Sequence, residues 1–430
     1  MNMMKSLFFF ISFILPVLLP AQTPEFRGVW IATVDNIDWP QRGVTDPGRQ
    51  QAEFIRQLDL HKKNGMNAVI VQVRPSADAF YPSDFEPWSQ WLTGVQGRAP
   101  FPYYDPLAFM IREAHKRGME FHAWLNPYRA SFNSSVTSIA KNHITRTHPY
   151  WFVTYGGKKY FEPSNKEAQD FVVKVVRDIV RRYDIDAIHM DDYFYPYRVP
   201  GKEFPDAAAY LRSGTTLAKA DWRRSNTDSI ISKLSVAIKQ EKSWVKFGIS
   251  PFGVWRNITQ DPDGSRTTAG TTNYDDLYAD ILLWLENKWI DYVVPQLYWE
   301  IGHRLADYRE LVEWWSNHGF GRHVYIGHGI YRATEKNAAW KRRDELPEQI
   351  RLLRSFPGIH GSAYFSSRSF DSNPNGWNDS LRNNYYQYPV KVPVMEWLPD
   401  RGPMGSNKNN EPGKTVPKPA FTNDYEMHTE

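Results

Sequence analysis

Eight short apolar runs recur along the chain, and each is followed by a loop and then by an amphipathic segment. In chain order the runs are FRGVWIATV (26–34), NAVIVQVRP (67–75), EFHAWLNPY (120–128), IDAIHMDDY (185–193), VKFGISPFGVW (245–255), IDYVVPQLYWE (290–300), HVYIGHGIY (323–331) and IHGSAYFSS (359–367). Short apolar runs of this length, bounded by turn residues, are typical of buried β-strands. The pattern therefore predicts eight strands.

The segments between the runs predict helices, because their apolar residues recur at helical spacing. Between Lys166 and Arg182, valine, isoleucine and phenylalanine mark one buried face, and charged residues mark the opposite, solvated face. The other predicted helices lie at 49–64, 105–117, 222–240, 274–287, 307–317, 344–356 and, as the shortest, 380–385.

Strand and helix alternating eight times predict an α/β fold, a (β/α)8 TIM barrel, because parallel strands need right-handed crossovers and eight such units close into a ring. An open doubly wound sheet is the alternative, but no GxGxxG phosphate loop follows the first strand. The barrel is predicted over 22–388. An extended segment that packs on it (389–400) and a disordered C-terminal tail (401–430), rich in Pro, Gly, Asn, Lys and Glu, follow.

The N-terminal pattern indicates where the chain works. Residues 1–21 contain one basic residue, Lys5, then the apolar run LFFFISFILPVLLP and a small residue, Ala21, which is typical of a cleavable signal peptide. The apolar run is too short to span a bilayer comfortably, and the chain has no cysteine for a disulfide or a lipid anchor. We therefore expect a periplasmic or secreted protein with no membrane span after signal cleavage. An uncleaved signal that acts as a membrane anchor is the alternative.

Composition and charge narrow the class of partner. Hydrophobic residues make up 41% of the chain and charged residues 23%, values that favour a globular protein with a large core over a disordered one. The net charge is +4, and it falls to +3 if Lys5 leaves with the signal peptide. So small an excess of positive charge argues against a nucleic acid or another polyanion as the partner.

Polar side chains gather at the carboxyl ends of the predicted strands, where a β/α barrel carries its active site. Side chains two residues apart share one face of a strand. Strand four therefore directs His189 and Asp191 to the barrel centre, and strand six directs Gln296, Tyr298 and Glu300 to the same opening. The predicted substrate-binding residues are Arg74, His122, Trp124, Asn126, His189, Asp192, Tyr193, Ser250, Gln296, Tyr298 and Trp299.

Two carboxylates from different strands at one barrel mouth are what glycoside hydrolysis needs, one to attack or to activate water and one to protonate the leaving oxygen. We assign Asp191 as nucleophile or general base and Glu300 as general acid, with the pKa of Glu300 raised by desolvation next to Trp299. Asp192 receives a supporting role. Flat aromatic rings suit sugar ligands, and the loops offer Trp39, Tyr81, Trp88, Trp91, Tyr128, Tyr150, Trp151, Tyr193, Tyr195, Trp255 and Trp299.

These strand ends resemble the glycosyl hydrolase-like 10 family of bacterial exported barrel proteins. The matching stretches are, in order, FRGVWIATV, VQVRPSADAFYPS, FHAWLNPYR, DAIHMDDYFYP, GISPFGVWRN and DYVVPQLYWE, and the likeness extends to about Phe370. The resemblance implies a glycoside hydrolase of a cell-envelope or extracellular glycan, with peptidoglycan glycan strands the suspected substrate. A more distant likeness to α-amylase-like barrels implies a basic residue two positions before a nucleophilic aspartate. His189 stands at that basic position, so nucleophile and base both stay open for Asp191.

Other interpretations compete with this one. Asp191 and Glu300 would be ordinary rim charges if they paired with Arg74 or Arg256. A cation held by Asp191 and Asp192 needs several more oxygen ligands, so neither a metal nor a cofactor is predicted. A glycan-binding barrel that does not cleave its ligand is the alternative function, and a metal-dependent deacetylase is a third.

Overall fold

A computed structural model describes residues 23–131 and 139–401. Within these ranges, nine strands form one parallel sheet and two form an antiparallel hairpin between the third and fourth barrel strands. The strands are β1 (Phe26–Ile31), β2 (Ala68–Arg74), β3 (Glu120–Leu125), β4 (Phe152–Tyr155), β5 (Lys158–Phe161), β6 (Ala187–Met190), β7 (Lys246–Ile249), β8 (Tyr292–Val293), β9 (His323–Val324), β10 (Ile326–His328) and β11 (Gly361–Tyr364).

The parallel sheet closes on itself. Its order is β10-β11-β1-β2-β3-β6-β7-β8-β9, and β9 and β10 are two parts of one strand interrupted at Tyr325. The Tyr325 amide donates to the carbonyl of Val293, and the Gly327 amide donates to that of Pro295, while β10 pairs with β11 on its other side. The predicted TIM barrel is therefore confirmed. The predicted signal peptide at 1–21 and the tail beyond residue 401 lie outside the described residues.

Helices follow the barrel strands in the alternating order expected of a β/α barrel. They are α1 (Pro47–Lys63), α2 (Gln90–Thr93), α3 (Pro106–Lys116), α4 (Ile144–Thr147), α5 (Lys166–Arg182), α6 (Ala207–Arg212), α7 (Lys219–Glu241), α8 (Asn273–Asp276), α9 (Ile281–Glu286), α10 (Tyr308–Asn317), α11 (Glu345–Leu353) and α12 (Trp377–Ser380), with a π-helical turn at Leu381–Tyr385. Among the described residues, no helix has both the length and the apolar character needed to cross a bilayer.

The single helix predicted over 274–287 is wrong, because the chain forms two short helices, α8 and α9, in its place. Tyr278, between them, has a positive φ of 51°, and its hydroxyl accepts a 2.7 Å hydrogen bond from Arg223 of α7. The Asp280 side chain then accepts from the Leu283 amide and starts α9. A tertiary contact and a new cap thus outweigh the helical spacing of the apolar residues.

Alternation along the strands separates two apolar layers. Ala68 and Ile70 of β2 point into the barrel lumen, whereas Val69 packs in the layer between the strands and the helices. In β6, Ile188 and Met190 pack in that outer layer, as the two-residue period predicts. The inward face of β6 therefore carries Ala187, which lines the lumen, and His189, and it continues to the residue that follows the strand.

The segment after Tyr388 lies across the amino-terminal end of the barrel. Met395 is 4% exposed and joins the apolar cluster of the lumen. The Trp397 indole donates to Asp291 at 2.9 Å, just before β8, and Arg401 forms ion pairs with Asp184 and Asp186, just before β6. These contacts all lie at the end of the barrel opposite the carboxyl ends of the strands, and so away from the mouth.

Candidate active site

Two adjacent carboxyl groups, Asp191 and Asp192, lie in the mouth of the barrel directly after β6. Asp191 continues the inward face that begins with His189, and each aspartate is only 4% exposed. Removing two neighbouring carboxylates from water is unfavourable unless nearby groups compensate or the acids hold a proton. Both conditions apply here, because hydrogen-bond donors and the charge of Arg129 act on the pair and the pKa of each acid is raised.

The Asp191 carboxyl is held by N–H donors from β3 and the loop after it. The Trp124 indole donates to its Oδ2 at 3.2 Å, and the Asn126 amide donates to the same oxygen at 3.1 Å. The pKa of Asp191 is raised to about 7, mainly by burial and also by the charge of Asp192, although the charge of Arg129 and the two N–H donors act to lower it. Near neutral pH this carboxyl is therefore poised to hold or release a proton.

The Asp192 carboxyl is held by its own loop and by the chain after β8. The Tyr197 hydroxyl donates to its Oδ2, and a hydrogen bond from Gln296 also favours its ionised form. Burial nevertheless raises the pKa of Asp192 to about 6. Because each carboxyl acts on its neighbour, the two titrate as a pair and not as independent groups.

Arg129 is the cation that acts on both carboxyls, and its charge lowers the pKa of each. Its backbone N–H donates to the Asn126 side chain at 2.8 Å, and its guanidinium lies 4.6 Å from the centre of the Tyr193 ring. Arg129 and Tyr197 are absent from the sequence-based prediction. Their place in the chain could have identified both, because each lies in a stretch that follows a barrel strand: Arg129 ends FHAWLNPYR, and Tyr197 lies in DDYFYPYR.

Arg74 supports the loop that carries Asn126. Its side chain is fully buried and forms a bidentate ion pair with Glu86, with nitrogen–oxygen distances of 2.6 and 2.9 Å. Its remaining nitrogen donates to the carbonyl groups of Asn126 and Pro127. All three guanidinium nitrogens are thus engaged within the protein, so the structure gives Arg74 a positioning role and no contact with the carboxyl pair.

The two candidate histidines lie deeper in the barrel than the carboxyl pair. His189 is within hydrogen-bond distance of the hydroxyls of Ser250, at 3.0 Å, and Tyr292, at 3.1 Å. His122 shares the Tyr292 hydroxyl, at 2.8 Å, and also contacts Glu120 at 3.0 Å. Burial holds the pKa of His189 well below its usual value, so that ring is neutral. The histidines and Ser250 therefore form a buried hydrogen-bonded column beneath the mouth.

The chain after β8 forms an aromatic rim on the mouth, where Gln296 is partly exposed beside Asp192. The Tyr298 ring stacks on Phe365 with centres 6.1 Å apart, and Trp299 meets the ring of Phe252 edge-on at 5.4 Å. Both Tyr298 and Trp299 remain partly exposed. The rim therefore offers ring surface next to the carboxyl pair.

Glu300 is not brought into contact with Asp191. Its two carboxylate oxygens accept hydrogen bonds of 3.1 Å from Asn337 and Trp340, in the chain after β10. Partial burial raises the pKa of Glu300, but its own backbone amide, Asn337 and the charge of His303 outweigh that effect and lower it. The direction is opposite to the expected one, because Glu300 keeps the contact with solvent that the pair has lost, so burial does not outweigh its donors and nearby cations.

The prediction that all the loop aromatic rings contribute to a sugar-binding floor is partly wrong. Six of them are buried, namely Trp39, Tyr81, Tyr128, Trp151, Tyr195 and Trp255. They fill space beneath the loops and between strands and helices, which a large α/β barrel has in quantity. The partly or fully exposed ones are Trp88, Trp91, Tyr150, Tyr193 and Trp299.

The arrangement is suited to acid–base chemistry. With pKa values raised to about 7 and about 6, the pair holds about one proton between pH 6 and pH 7, so it can protonate a leaving oxygen while it retains one negative charge. In residues 23–131 and 139–401, no three His, Asp or Glu side chains are grouped as ligands for a metal ion.

Comparison with known proteins identifies relatives over most of the chain. The family described as "Glycosyl hydrolase-like 10" matches residues 25–342. The chain is 48% identical over 395 residues to "Glycosyl hydrolase YngK" of Bacillus subtilis (strain 168), which covers 90% of this chain and 77% of YngK. It is 38% identical over 375 residues to "Glycosyl hydrolase DigH" of Escherichia coli (strain K12). The aligned region covers 81% of this chain and 84% of DigH.

Solved structures share the barrel at low sequence identity. The PgaB (BpsB) glycoside hydrolase domain from Bordetella bronchiseptica is 14% identical with a TM-score of 0.51, over 86% of this chain and 100% of that one. The catalytic domain of β-amylase from Paenibacillus polymyxa is 12% identical with a TM-score of 0.55, over 86% and 99%. These likenesses show the fold, while the family and its named relatives support a glycosidase role. With a family match over residues 25–342, the chain belongs to the glycosyl hydrolase-like 10 family.

Proposed function

We propose that the chain hydrolyses O-glycosidic bonds in a cell-envelope or extracellular glycan, and that Asp191 and Asp192 form its carboxylate pair. The observation that carries the proposal is the pair itself, two consecutive buried acids in the barrel mouth with pKa values raised to about 7 and about 6. A carboxyl group that burial keeps protonated near neutral pH is what protonation of a glycosidic oxygen requires.

In this proposal the proton donor belongs to the pair and not to Glu300. The surroundings of Glu300 lower its pKa, so Glu300 is ionised at neutral pH and has no proton to give. Its hydrogen bonds to Asn337 and Trp340 suit a residue that shapes the rim of the mouth. The other predicted residues near the pair are Trp124 and Asn126, which orient Asp191.

Peptidoglycan glycan strands are the proposed substrate. The family resemblance supports a bacterial glycan, and the partly exposed rings of Tyr193, Tyr298 and Trp299 provide the flat surfaces on which sugars stack. The signal-like pattern of residues 1–21 agrees with work in the periplasm or outside the cell. A substrate in the cell envelope and an exported chain are consistent with each other.

The test measures new reducing ends after incubation with glycan strands freed of their peptides, and with several unrelated polysaccharides for comparison. We expect the wild-type chain to release products from the glycan strands. Asp191→Asn and Asp192→Asn should each lose about 10²- to 10⁴-fold in kcat, the range for loss of an acid or base. Binding of strands to the variants, measured by co-sedimentation, should change little.

Asp228→Asn is the matched control. Asp228 lies on α7, outside the mouth, where burial raises its pKa to about 6 and the Trp284 indole donates to it at 2.6 Å. The same chemical change in a comparable carboxyl should leave hydrolysis intact. Undiminished hydrolysis by both pair variants would remove the pair from the mechanism. Strand binding by folded wild-type chain without any product would favour the glycan-binding alternative.

A further inference from the structure

The position of the two carboxyls on one short stretch of backbone also restricts the sugar. We propose that the residue cleaved carries a 2-acetamido group, whose carbonyl oxygen attacks the anomeric carbon while Asp191 orients that group and Asp192 acts first as acid and then as base. The inference rests on the proposed glycoside hydrolysis and adds the identity of the nucleophile.

The two carboxyls are carried by adjacent residues. When an enzyme supplies both carboxylates, they flank the sugar from opposite faces, about 5–5.5 Å apart in retaining and about 6.5–9.5 Å apart in inverting enzymes. Asp191 and Asp192 are consecutive, so their Cα atoms are only about 3.8 Å apart. Both carboxyls also lie close enough to Arg129 for its charge to lower the pKa of each. Both carboxyls therefore extend from one point on the rim, directly after β6, and neither comes from a strand across the mouth.

Four other carboxyl groups, those of Asp38, Asp78, Glu86 and Glu300, have their own partners away from the pair. Asp38 and Asp78 accept hydrogen bonds from backbone amides and from neighbouring side chains through both of their oxygens. Glu86 is paired bidentately with Arg74, and Glu300 is bonded to the chain after β10. A nucleophile contributed by the substrate removes the need for a carboxylate on the far face.

The partners of each carboxyl assign the two roles. Asp191 already accepts from two N–H groups, those of Trp124 and Asn126, and an acetamido N–H is a donor of the same kind. Asp192 lies toward the Tyr197 loop and the chain after β8, beside the aromatic rim. A new N–H donor on Asp191 favours its ionised form, so the shared proton then resides on Asp192.

The reaction balances without an added co-reactant. In the first step the acetamido oxygen forms a bond to the anomeric carbon, the bond from that carbon to the glycosidic oxygen breaks, and the leaving oxygen takes the proton of Asp192. The resulting bicyclic oxazolinium ion keeps its N–H hydrogen bond to ionised Asp191. In the second step Asp192 takes a proton from water, the water oxygen bonds to the anomeric carbon, and the acetamido group is restored with overall retention of configuration.

The deciding experiment uses peptide-free glycan strands whose amino groups have been exposed by chemical deacetylation. One portion is reacetylated, one is trifluoroacetylated and one is left as free amine. We expect the wild-type chain to cleave the reacetylated strands as it cleaves untreated ones. It should cleave the trifluoroacetylated strands at least about a hundredfold more slowly, since fluorine withdraws electrons from the attacking oxygen, and free-amine strands not at all.

Cleavage of the trifluoroacetylated or free-amine strands within about threefold of the reacetylated ones would overturn the inference and leave the proposed hydrolysis standing. No cleavage of untreated strands would overturn the proposed hydrolysis and the inference together. The two failures are therefore distinguishable, because the reacetylated strands have passed through the same chemistry as the other two.

A binding measurement tests the separate roles of the carboxyls without relying on activity. The thiazoline formed from 2-acetamido-2-deoxyglucose mimics the bicyclic intermediate and is not hydrolysed. Calorimetry should show binding to the wild-type chain, to Asp192→Asn and to Asp228→Asn, and about tenfold or greater weakening in Asp191→Asn. Equal affinity for the two pair variants, or no binding to a wild-type chain that cleaves strands, would overturn the assignment.

Discussion

Replacing Asp191 with asparagine should stabilise the fold, and should do so most at alkaline pH. Burial raises the pKa of Asp191 from 3.8 to about 7 in the folded chain, whereas in the unfolded chain the group is solvated. Between these two values the folded state holds a proton that the unfolded state has released. Stability therefore falls as pH rises through that window, and asparagine, which does not ionise, escapes the loss.

The magnitude follows from the size of the pKa shift. Each unit corresponds to about 1.36 kcal/mol, so the raised pKa destabilises the folded chain by about 4 kcal/mol at pH 8, where both states are ionised, and by about 1.7 kcal/mol at pH 5, where the folded state keeps its proton. The gain from Asp191→Asn should thus be larger at pH 8 by about 2.5 kcal/mol. Imperfect hydrogen bonds from Trp124 and Asn126 to the new amide lower the gain equally at both pH values, so the difference between them isolates the titration.

The assay is unfolding in urea, followed by circular dichroism, for both chains at pH 5 and pH 8. Asp170→Asn serves as the control, because its carboxyl is 60% exposed and forms a surface ion pair with Lys233. That change should alter the free energy of unfolding by less than about 1 kcal/mol at either pH. A stability difference between Asp191→Asn and wild type that is the same at pH 5 and pH 8 would refute the reasoning.

Three further changes test other parts of the molecule. Glu86→Gln leaves the buried Arg74 without its charge partner and should lower the free energy of unfolding by about 3–5 kcal/mol in urea; a loss under about 1 kcal/mol would contradict the ion pair's importance. Tyr197→Phe removes a hydrogen-bond donor that favours ionised Asp192, so the pKa of Asp192 should rise. The acidic limb of the pH profile of kcat/KM should then move to higher pH. A limb that is unchanged or moves to lower pH would count against the pair. Met395→Ala should lower the free energy of unfolding by about 2–5 kcal/mol. It should not change kcat on glycan strands, because Met395 fills the lumen at the end opposite the mouth. An unchanged free energy of unfolding would show that the C-terminal segment is not part of the folded core.

Some elements follow from the sequence because their signal is local. The helix at Lys166–Arg182 has its apolar residues on one face over its whole length, and the structure begins and ends it at the predicted residues. The helix expected over 274–287 shows the limit of that signal. Its spacing is helical, but the contact from Arg223 to Tyr278 lies outside the segment and divides it. A pattern within one segment cannot report a partner from another.

The candidate site divides in the same way. The two-residue period placed Asp191 in the barrel mouth beside Trp124 and Asn126, because alternation along a strand is a property of its own backbone. The same period directed Glu300 to that mouth, but β8 ends at Val293 and the chain beyond it leads Glu300 to Asn337. Strand alternation carries no information once the chain has left the sheet.

By itself the sequence determined the eight strands, their order, and the end of the barrel at which polar side chains collect, since periodicity and chain order are written in consecutive residues. The tertiary structure alone decided that Asp192 is buried with Asp191, that Arg129 and Tyr197 complete their surroundings, and that Glu300 is drawn away. The physical reason is that a pKa depends on solvent exclusion and on charges brought together from distant parts of the chain, and those exist only after the ring has closed.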